Sequence, residues 1–350
     1  MGLSRYWYNQ AVEYLRQPNT KAALSEVRKI QKNPHPSWAF DCPQRVREHA
    51  MAQACKAVSN AKKKCLITKE FQEVRFRSKK DLEQRFGFDK ISLNKNFVFK
   101  NKKNKFEFFA SEDFQATLEG TEIKREKGRW FLIVPQKVTV KKPENQRHGT
   151  VALDPGIRTF IAYYADSFNG KIGEGDFNRI FRLCLNLDRM ISKSTQVKSK
   201  QRRSLKKAAA RLRWKIRDLV DDLHKKTANF LVKNFDKILI PHFETSDMSR
   251  KLRSKTARSL LSFAHFRFKE FLKAKAEEYS CEIVEVSEAW TSRTCSYCGK
   301  VHPKNSKKRM ICSCGANVDR DLNGARGIYL RALAASPNQN LIVNVNINNK

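Results

Sequence analysis

The chain has 350 residues, 71 of them Lys or Arg against 35 Asp or Glu, which gives a formal net charge of +36. Self-repulsion on that scale calls for an anionic partner, and a polyphosphate backbone is the natural one, because each Lys or Arg that neutralises a phosphate releases a condensed counterion. A hydrophobic content of 40% with 10% aromatics argues against a disordered basic tail, no apolar run approaches the roughly 18 residues that span a bilayer, and the polar start MGLSRYWYNQ lacks a signal-peptide core, so an intracellular protein is expected.

Along residues 1–70, YNQAVEYL and RVREHAMAQACKAVSNAKKK mix apolar and polar residues at helical spacing, with the proline-punctuated NPHPSWAFDCP between them. Trp7, Tyr8 and Trp38 in this helical unit are expected in its core. Over 71–148 the period shortens. VRFRS, ISLNKNFVF, KFEFFA, TEIKREKGRWFLIV and KVTVKK alternate in the manner of strands and predict a small β-barrel or sheet.

From residue 149 a new unit begins with VALDPGIRTFIAYYA, read as a strand, a tight turn and a second strand. Residues 187–235 predict helix with a dense basic block, KILIP at 237–241 a buried strand, ARSLLSFAHFRFKEFLKAKAEEYS a further helix and CEIVEVSEAW a strand. Strand and helix thus alternate across 149–290, as in an α/β sheet. A cysteine-rich element covers 291–316, a last helix 317–335, and the Asn-rich 336–350 is expected to be a disordered tail.

Four of the nine cysteines stand in two close pairs, Cys295-Ser-Tyr-Cys298 and Cys312-Ser-Cys314. Two such thiolate pairs can supply the four soft ligands of one tetrahedral Zn²⁺, with Gly299 and Gly315 easing the turn after each pair. The second pair is one residue tighter than usual, and His302 could stand in for a cysteine. Four protein ligands leave no open position for water, so the zinc is structural. Cys42, Cys55, Cys65, Cys184 and Cys281 read as ordinary buried residues.

Three carboxylates sit where secondary structure ends. Asp154 closes an apolar strand before Pro155-Gly156, Glu244 follows KILIPHF, and Asp321 opens the last helix. Each has a plain alternative: a turn residue, a helix start, a charge favoured by the helix dipole. Together they match what phosphodiester hydrolysis requires, since Mg²⁺ ions bridging water, phosphate and leaving oxygen need hard oxygen ligands converging from separate elements. Neither GxxxxGK[ST] nor HExxH competes.

LDPGIRTF, ILIPHFE, TSRTCSYCG and CSCGANVDRDLNGARGIYLRAL resemble the RuvC and zinc-ribbon blocks of TnpB-type transposon-associated RNA-guided nucleases, the NGARGIYLRAL ending being similar to the Fanzor branch of eukaryotes and their viruses. The resemblance is specific from about 150 to 333 and weaker before that. It implies a split RNase H-like (RuvC) α/β nuclease domain with inserted basic helices at 149–290, a target-nucleic-acid-binding zinc ribbon at 291–316 and a RuvC C-terminal helix at 317–335. A helical recognition unit and a wedge-type β-barrel precede them.

It places the catalytic, Mg²⁺-binding triad, holding two ions, on Asp154, Glu244 and Asp321, with Asp319 the rival for the last role, and the zinc on Cys295, Cys298, Cys312 and Cys314. It implies a monomeric endonuclease that cuts double-stranded DNA under the direction of a transposon-encoded guide RNA and a short target-adjacent motif, in the nucleus where the host is eukaryotic. Lys198, Lys200, Arg202, Arg203, Lys206, Lys207, Arg211 and Arg213 are then the expected contacts to the heteroduplex backbone. A catalytically silent RNA-guided DNA-binding regulator and a DNA-strand transposase are the competing readings.

Overall fold

A computed structural model of the chain describes residues 1–88, 97–98, 106–107, 109–114, 120–143, 146–242, 263–303 and 308–334. The chain divides into two compact units, Met1–Val138 and Thr139–Lys350. Among the described residues no helix is long and apolar enough to cross a membrane.

In the first unit, α1 (Gly2–Leu15) packs on α3 (Gln44–Thr68), with the short α2 (Leu24–Val27) and two 3-10 turns between them. Trp7, Val12, Ala50, Met51 and Ala54 share one core with Phe86, Phe88 and Ile123 of an antiparallel sheet in the order β1 (Glu83–Phe88), β4 (Thr121–Glu126), β5 (Arg129–Ile133). Helices and sheet close over each other because each has only one apolar face to cover. β2 (Phe97–Val98) and β3 (Phe106–Glu107) form a separate two-stranded ribbon.

The described strands make a three-stranded sheet and a ribbon. Three expectations change here. VRFRS at 74–78 is not a strand: the Asn9 amide holds the Arg77 backbone at both its N–H (2.8 Å) and its carbonyl (3.0 Å), taking the groups a ladder would use. KVTVKK at 137–142 is also outside any strand, with Val138 and Val140 exposed. Trp7 and Tyr8 are buried as expected, whereas Trp38, in the 3-10 turn Ser37–Asp41, is 48% exposed.

The second unit is built on a five-stranded sheet in the order β10-β9-β6-β7-β8. β6 (His148–Pro155), β7 (Ile161–Ala165) and β8 (Asn169–Ile172) run as an antiparallel meander, and β9 (Phe235–Pro241) and β10 (Glu282–Val286) add on parallel to β6. A meander of three strands followed by two parallel ones, with helical crossovers, is the α/β arrangement expected of an RNase H-like domain. One crossover is the antiparallel pair α4 (Asp176–Gln196) and α5 (Ser199–Asn234); the other contains α6 (His265–Tyr279).

Alternation along β6 sorts the two faces. Val151 and Leu153 join Ile161, Ile238 and Ile240 in a core shared with Val220, Ala228 and Leu231 of α5 and Phe268 and Leu272 of α6. Ala152 points the other way and packs with Leu239, Ile328 and Tyr329, the last two on α7 (Arg320–Ala334). Asp154, two residues on from Ala152, shares that second face. Cys42, Cys55, Cys184 and Cys281 are buried and Cys65 half-buried, each as a thiol outside any disulfide.

Candidate active site and metal centre

Because β6, β9 and β10 are parallel, their C-terminal ends lie along one edge of the sheet, the edge at which open α/β sheets hold ligands. Asp154 stands at the end of β6, and Glu288 stands two residues beyond the end of β10. The end of β9 leads through His242 toward Glu244, which lies outside the described residues. Asp321 arrives from the opposite direction, in the first turn of α7.

The turn after Asp154 is fixed from behind. Gly156 donates its N–H to the Phe160 carbonyl at 3.2 Å, and its own carbonyl lies 2.9 Å from Nε2 of His265. The buried Phe160 ring lies between two imidazoles, His224 at 5.3 Å and His265 at 5.2 Å between centroids. Burial lowers both histidines to about 4, so each is neutral at pH 7.

Asp154 is closely surrounded yet keeps part of its surface open. Burial raises its carboxyl well above the usual range, and the negative charges of Asp321 and then Glu288 push the same way. Burial, followed by the charge of Asp319, raises Asp321, and burial raises Glu288. Buried carboxylates that bear on one another are oxygen donors of the kind a hard divalent cation takes, but among the described residues only the four cysteines bring their ligand atoms close enough together to hold an ion. α7 comes so close that a Cβ on Gly324 would lie 2.2 Å from Oδ2 of Asp154.

Asp319 and Asp321 are assigned different tasks. Asp319 accepts the backbone N–H groups of Asp321 (2.9 Å) and Leu322 (3.4 Å), capping α7, and Nζ of Lys171 lies 2.5 Å from its other oxygen. Burial works to raise Asp319, but these hydrogen bonds hold it below the ordinary carboxylate range. Lys171 can reach it because Asp154, Ala162 and Lys171 lie opposite one another on β6, β7 and β8 and share a face. Glu288 and Lys171 were missed in the sequence; an acid just past CEIVEV was the one local signal for Glu288, and nothing local marks Lys171.

The zinc-ribbon cysteines converge. The sulfurs of Cys295, Cys298, Cys312 and Cys314 all lie within 4.8 Å of one another. Tetrahedral Zn–S bonds of about 2.3 Å place sulfurs about 3.8 Å apart, and the Cys295–Cys314 and Cys298–Cys312 separations are 3.8 and 3.5 Å. The set fits Zn²⁺, and the tight Cys312-Ser-Cys314 pair is no obstacle to it. Each pair is followed by a left-handed glycine, Gly299 at φ 77° and Gly315 at φ 90°. β11 (Arg309–Ile311) pairs with β12 (Asn317–Asp319), which runs directly into α7.

Buried Asn323 ties this element to the carboxylates. Its Oδ1 accepts the N–H of Ser296 at 2.9 Å and its Nδ2 donates to the Thr294 carbonyl at 2.8 Å, while Arg326 donates to the Ser296 carbonyl at 2.7 Å. The first cysteine turn is thereby docked on the helix that carries Asp321. The eight basic residues from Lys198 to Arg213 flank or lie in the first half of α5, all exposed, and none pairs with an acidic group among the described residues.

Comparison with known proteins gives two family matches. Residues 133–252 match a family described as "Probable transposase" (OrfB_IS605), and residues 265–328 match "Cas12f1-like, TNB domain". The chain is 30% identical over 316 residues to "Putative transposase A625R" of Paramecium bursaria Chlorella virus 1, covering 85% of this chain and 71% of that protein. It is 28% identical over 214 residues to TnpB-like protein L79 of Acanthamoeba polyphaga mimivirus, covering 57% of this chain and 40% of the relative. Over 214 residues it is also 28% identical to a "Putative RNA-guided DNA endonuclease" of Streptomyces pristinaespiralis, covering 60% of this chain and 51% of the relative. With its sheet topology, cysteine cluster and aligned relatives, the chain belongs to the TnpB/OrfB family of transposon-associated proteins.

Proposed function

We propose that the chain is an RNA-guided, Mg²⁺-dependent DNA endonuclease. The observation that supports this reading is the approach of α7 to the end of β6, where a Cβ on Gly324 would lie 2.2 Å from Oδ2 of Asp154 and the charges of Asp321 and Glu288 bear on its buried carboxyl. Asp154 and Asp321 would hold the metal together with Glu244, which follows β9 in the sequence, and Glu288 would supply a further oxygen ligand. Mg²⁺ bound there would acidify a water for attack on the scissile phosphate and neutralise the leaving oxygen. Lys171 keeps Asp319 out of the cluster, and the clamp at Asn323 sets the angle at which Asp321 enters. One Zn²⁺ on the four cysteines is structural.

The guide rests on the name of the Streptomyces relative and on the excess of positive charge. One chain of +36 can hold an RNA and a DNA strand together, and the exposed basic residues from Lys198 to Arg213 suit the backbone of their hybrid. The test is to purify the protein from cells carrying the DNA that flanks its gene, sequence the RNA retained, and incubate the complex with matching duplex DNA and Mg²⁺. Cleavage that needs the RNA and disappears in Asp154→Ala supports the reading. RNA-dependent cleavage that survives Asp154→Ala sinks the site, and joining of ends to a second duplex would favour strand transfer, the chemistry in the names of the viral relatives.

A further inference from the structure

The strand end that carries Asp154 is held less firmly than the rest of β6. Its ladder to β9 pairs residues only as far as Ala152 with Leu239, whereas the ladder to β7 continues through Asp154 with Ala162 to Pro155 with Ile161. Among the described residues no hydrogen bond reaches the Asp154 carboxylate. Its place is therefore set by the backbone beneath it, and a reacting group is only as precise as its support. Past Pro155 that backbone turns so tightly that a Cβ on Gly156 would lie 2.6 Å from the Thr159 carbonyl oxygen.

Among the described residues, the side chain that holds this turn from outside the two strands is His265. It is the buried first residue of α6, and its Nε2 donates to the Gly156 carbonyl at 2.9 Å. His224 of α5 makes the matching bond from its own Nε2 to the Phe263 carbonyl at 2.8 Å. Between Phe263 and His265 stands Ala264 in the left-handed region, at φ 49°, a conformation that a residue with a side chain adopts rarely and keeps only where its surroundings enforce it. The Phe160 ring joins the two imidazoles, stacked at 11° to His265 and 20° to His224. A phenyl or aliphatic group would fill either position. Burying an imidazole there is costly unless it is hydrogen-bonded, and both bonds go to carbonyls in the links that lead to Asp154 and to His265 itself.

We propose that His265 is a positioning residue for Asp154: its bond to Gly156 sets where the carboxylate stands at the sheet edge, and His224 braces His265 through Phe160 and the Phe263 carbonyl. The role rests on the nuclease reading, in which Asp154 takes a divalent cation. Losing the bond then loosens the cation without removing any of its ligands. Supports behind ligating groups act in this way, and their loss typically lowers metal affinity by about 10- to 100-fold.

Mn²⁺ binding to the zinc-loaded full chain is followed by the electron paramagnetic resonance signal of the free ion, and the part lost in Asp154→Ala is counted as the site. His265→Phe keeps a ring of similar size without the donor; it should weaken that binding about tenfold and speed amide exchange in the turn after Asp154. His265→Gln, whose amide reaches as far as Nε2, should recover most of both, and His265→Asn, whose amide ends short of it, should not. If His265→Phe does not fold, the Gln and Asn variants carry the comparison, since both bury an amide at one position. A role in folding alone would lower the urea midpoint of the Phe and Asn variants and leave their Mn²⁺ affinity at the parental value. That result, or a loss of affinity as large in His265→Gln as in His265→Asn, overturns the proposal. A parent chain with no Asp154-dependent Mn²⁺ overturns the nuclease reading and this role together, whereas parental binding indifferent to His265 overturns the positioning role alone.

Discussion

Gly324→Ala separates the role of a residue in folding from its role in the site. At an ordinary helix position the change would stabilise α7 by about 1 kcal/mol. Here the new Cβ would lie 2.2 Å from Oδ2 and 3.2 Å from Cγ of Asp154, at least about 1.2 Å short of ordinary contact with the oxygen. The helix has little room to retreat, because Asp319 is held by Lys171, Asn323 by the first cysteine turn, and Ile328 and Tyr329 by the sheet. The Asp154 carboxylate gives way instead. Overpacking of this kind costs about 1 to 3 kcal/mol, so after the helix gain the net loss of stability is about 0 to 2 kcal/mol. A displacement near 1 Å at a reacting centre costs about 100-fold in rate. Single-turnover cleavage of guided DNA and urea unfolding should show a folded protein slowed on the order of 100-fold. Cleavage at the parental rate, or a clean gain of about 1 kcal/mol, would refute the placement of α7 against Asp154.

Three other outcomes are expected. Cys312→Ser should lower the zinc content from about one per chain and abolish cleavage with no change at the carboxylates, because β12 leads from the ribbon into α7; full activity in metal-free protein would contradict a structural zinc. Lys171→Met should cost about 1.5 to 3 kcal/mol in urea, since both side chains of the Lys171–Asp319 pair are largely covered (19% and 24% exposed), with Lys171→Arg recovering part of it; an unchanged midpoint would dismiss the clamp. His224 and His265 titrate near 4 in the folded chain against about 6.5 unfolded, so the unfolded chain binds more protons between those values and stability falls as pH drops from about 6.5 to 4, by up to roughly 3 kcal/mol for each. Stability in that window that is no less steep in His224→Phe would exclude His224 as a source.

Much of the second unit was legible because its signals are local. Alternating and helical apolar periods fix which face of each element must be covered, and they predicted the β6–β7 turn, β9, β10 and α7 near their actual bounds. The cysteine pairs declared their chemistry through spacing, and their sulfurs do converge. The same local reasoning failed on VRFRS and Trp38. An alternating segment becomes a strand only if a partner strand is free, and at Arg77 the Asn9 side chain is the partner instead. An aromatic joins a core only if the turn beneath it faces inward.

The acidic cluster lies at the opposite extreme. Asp154, Glu288 and Asp321 were each unremarkable in the sequence, since a carboxylate gains its meaning from neighbours that sheet order and helix docking bring to it. Composition and spacing thus pointed, unaided, to a polyanionic partner, an α/β fold and a four-cysteine centre. That the charges of Asp321 and Glu288 bear on Asp154, that Asp319 caps a helix, and that Gly324 lies against Asp154 were decided only by tertiary structure. The reason is physical: electrostatic and steric effects act over a few ångströms of space, and the sequence orders residues only along the chain.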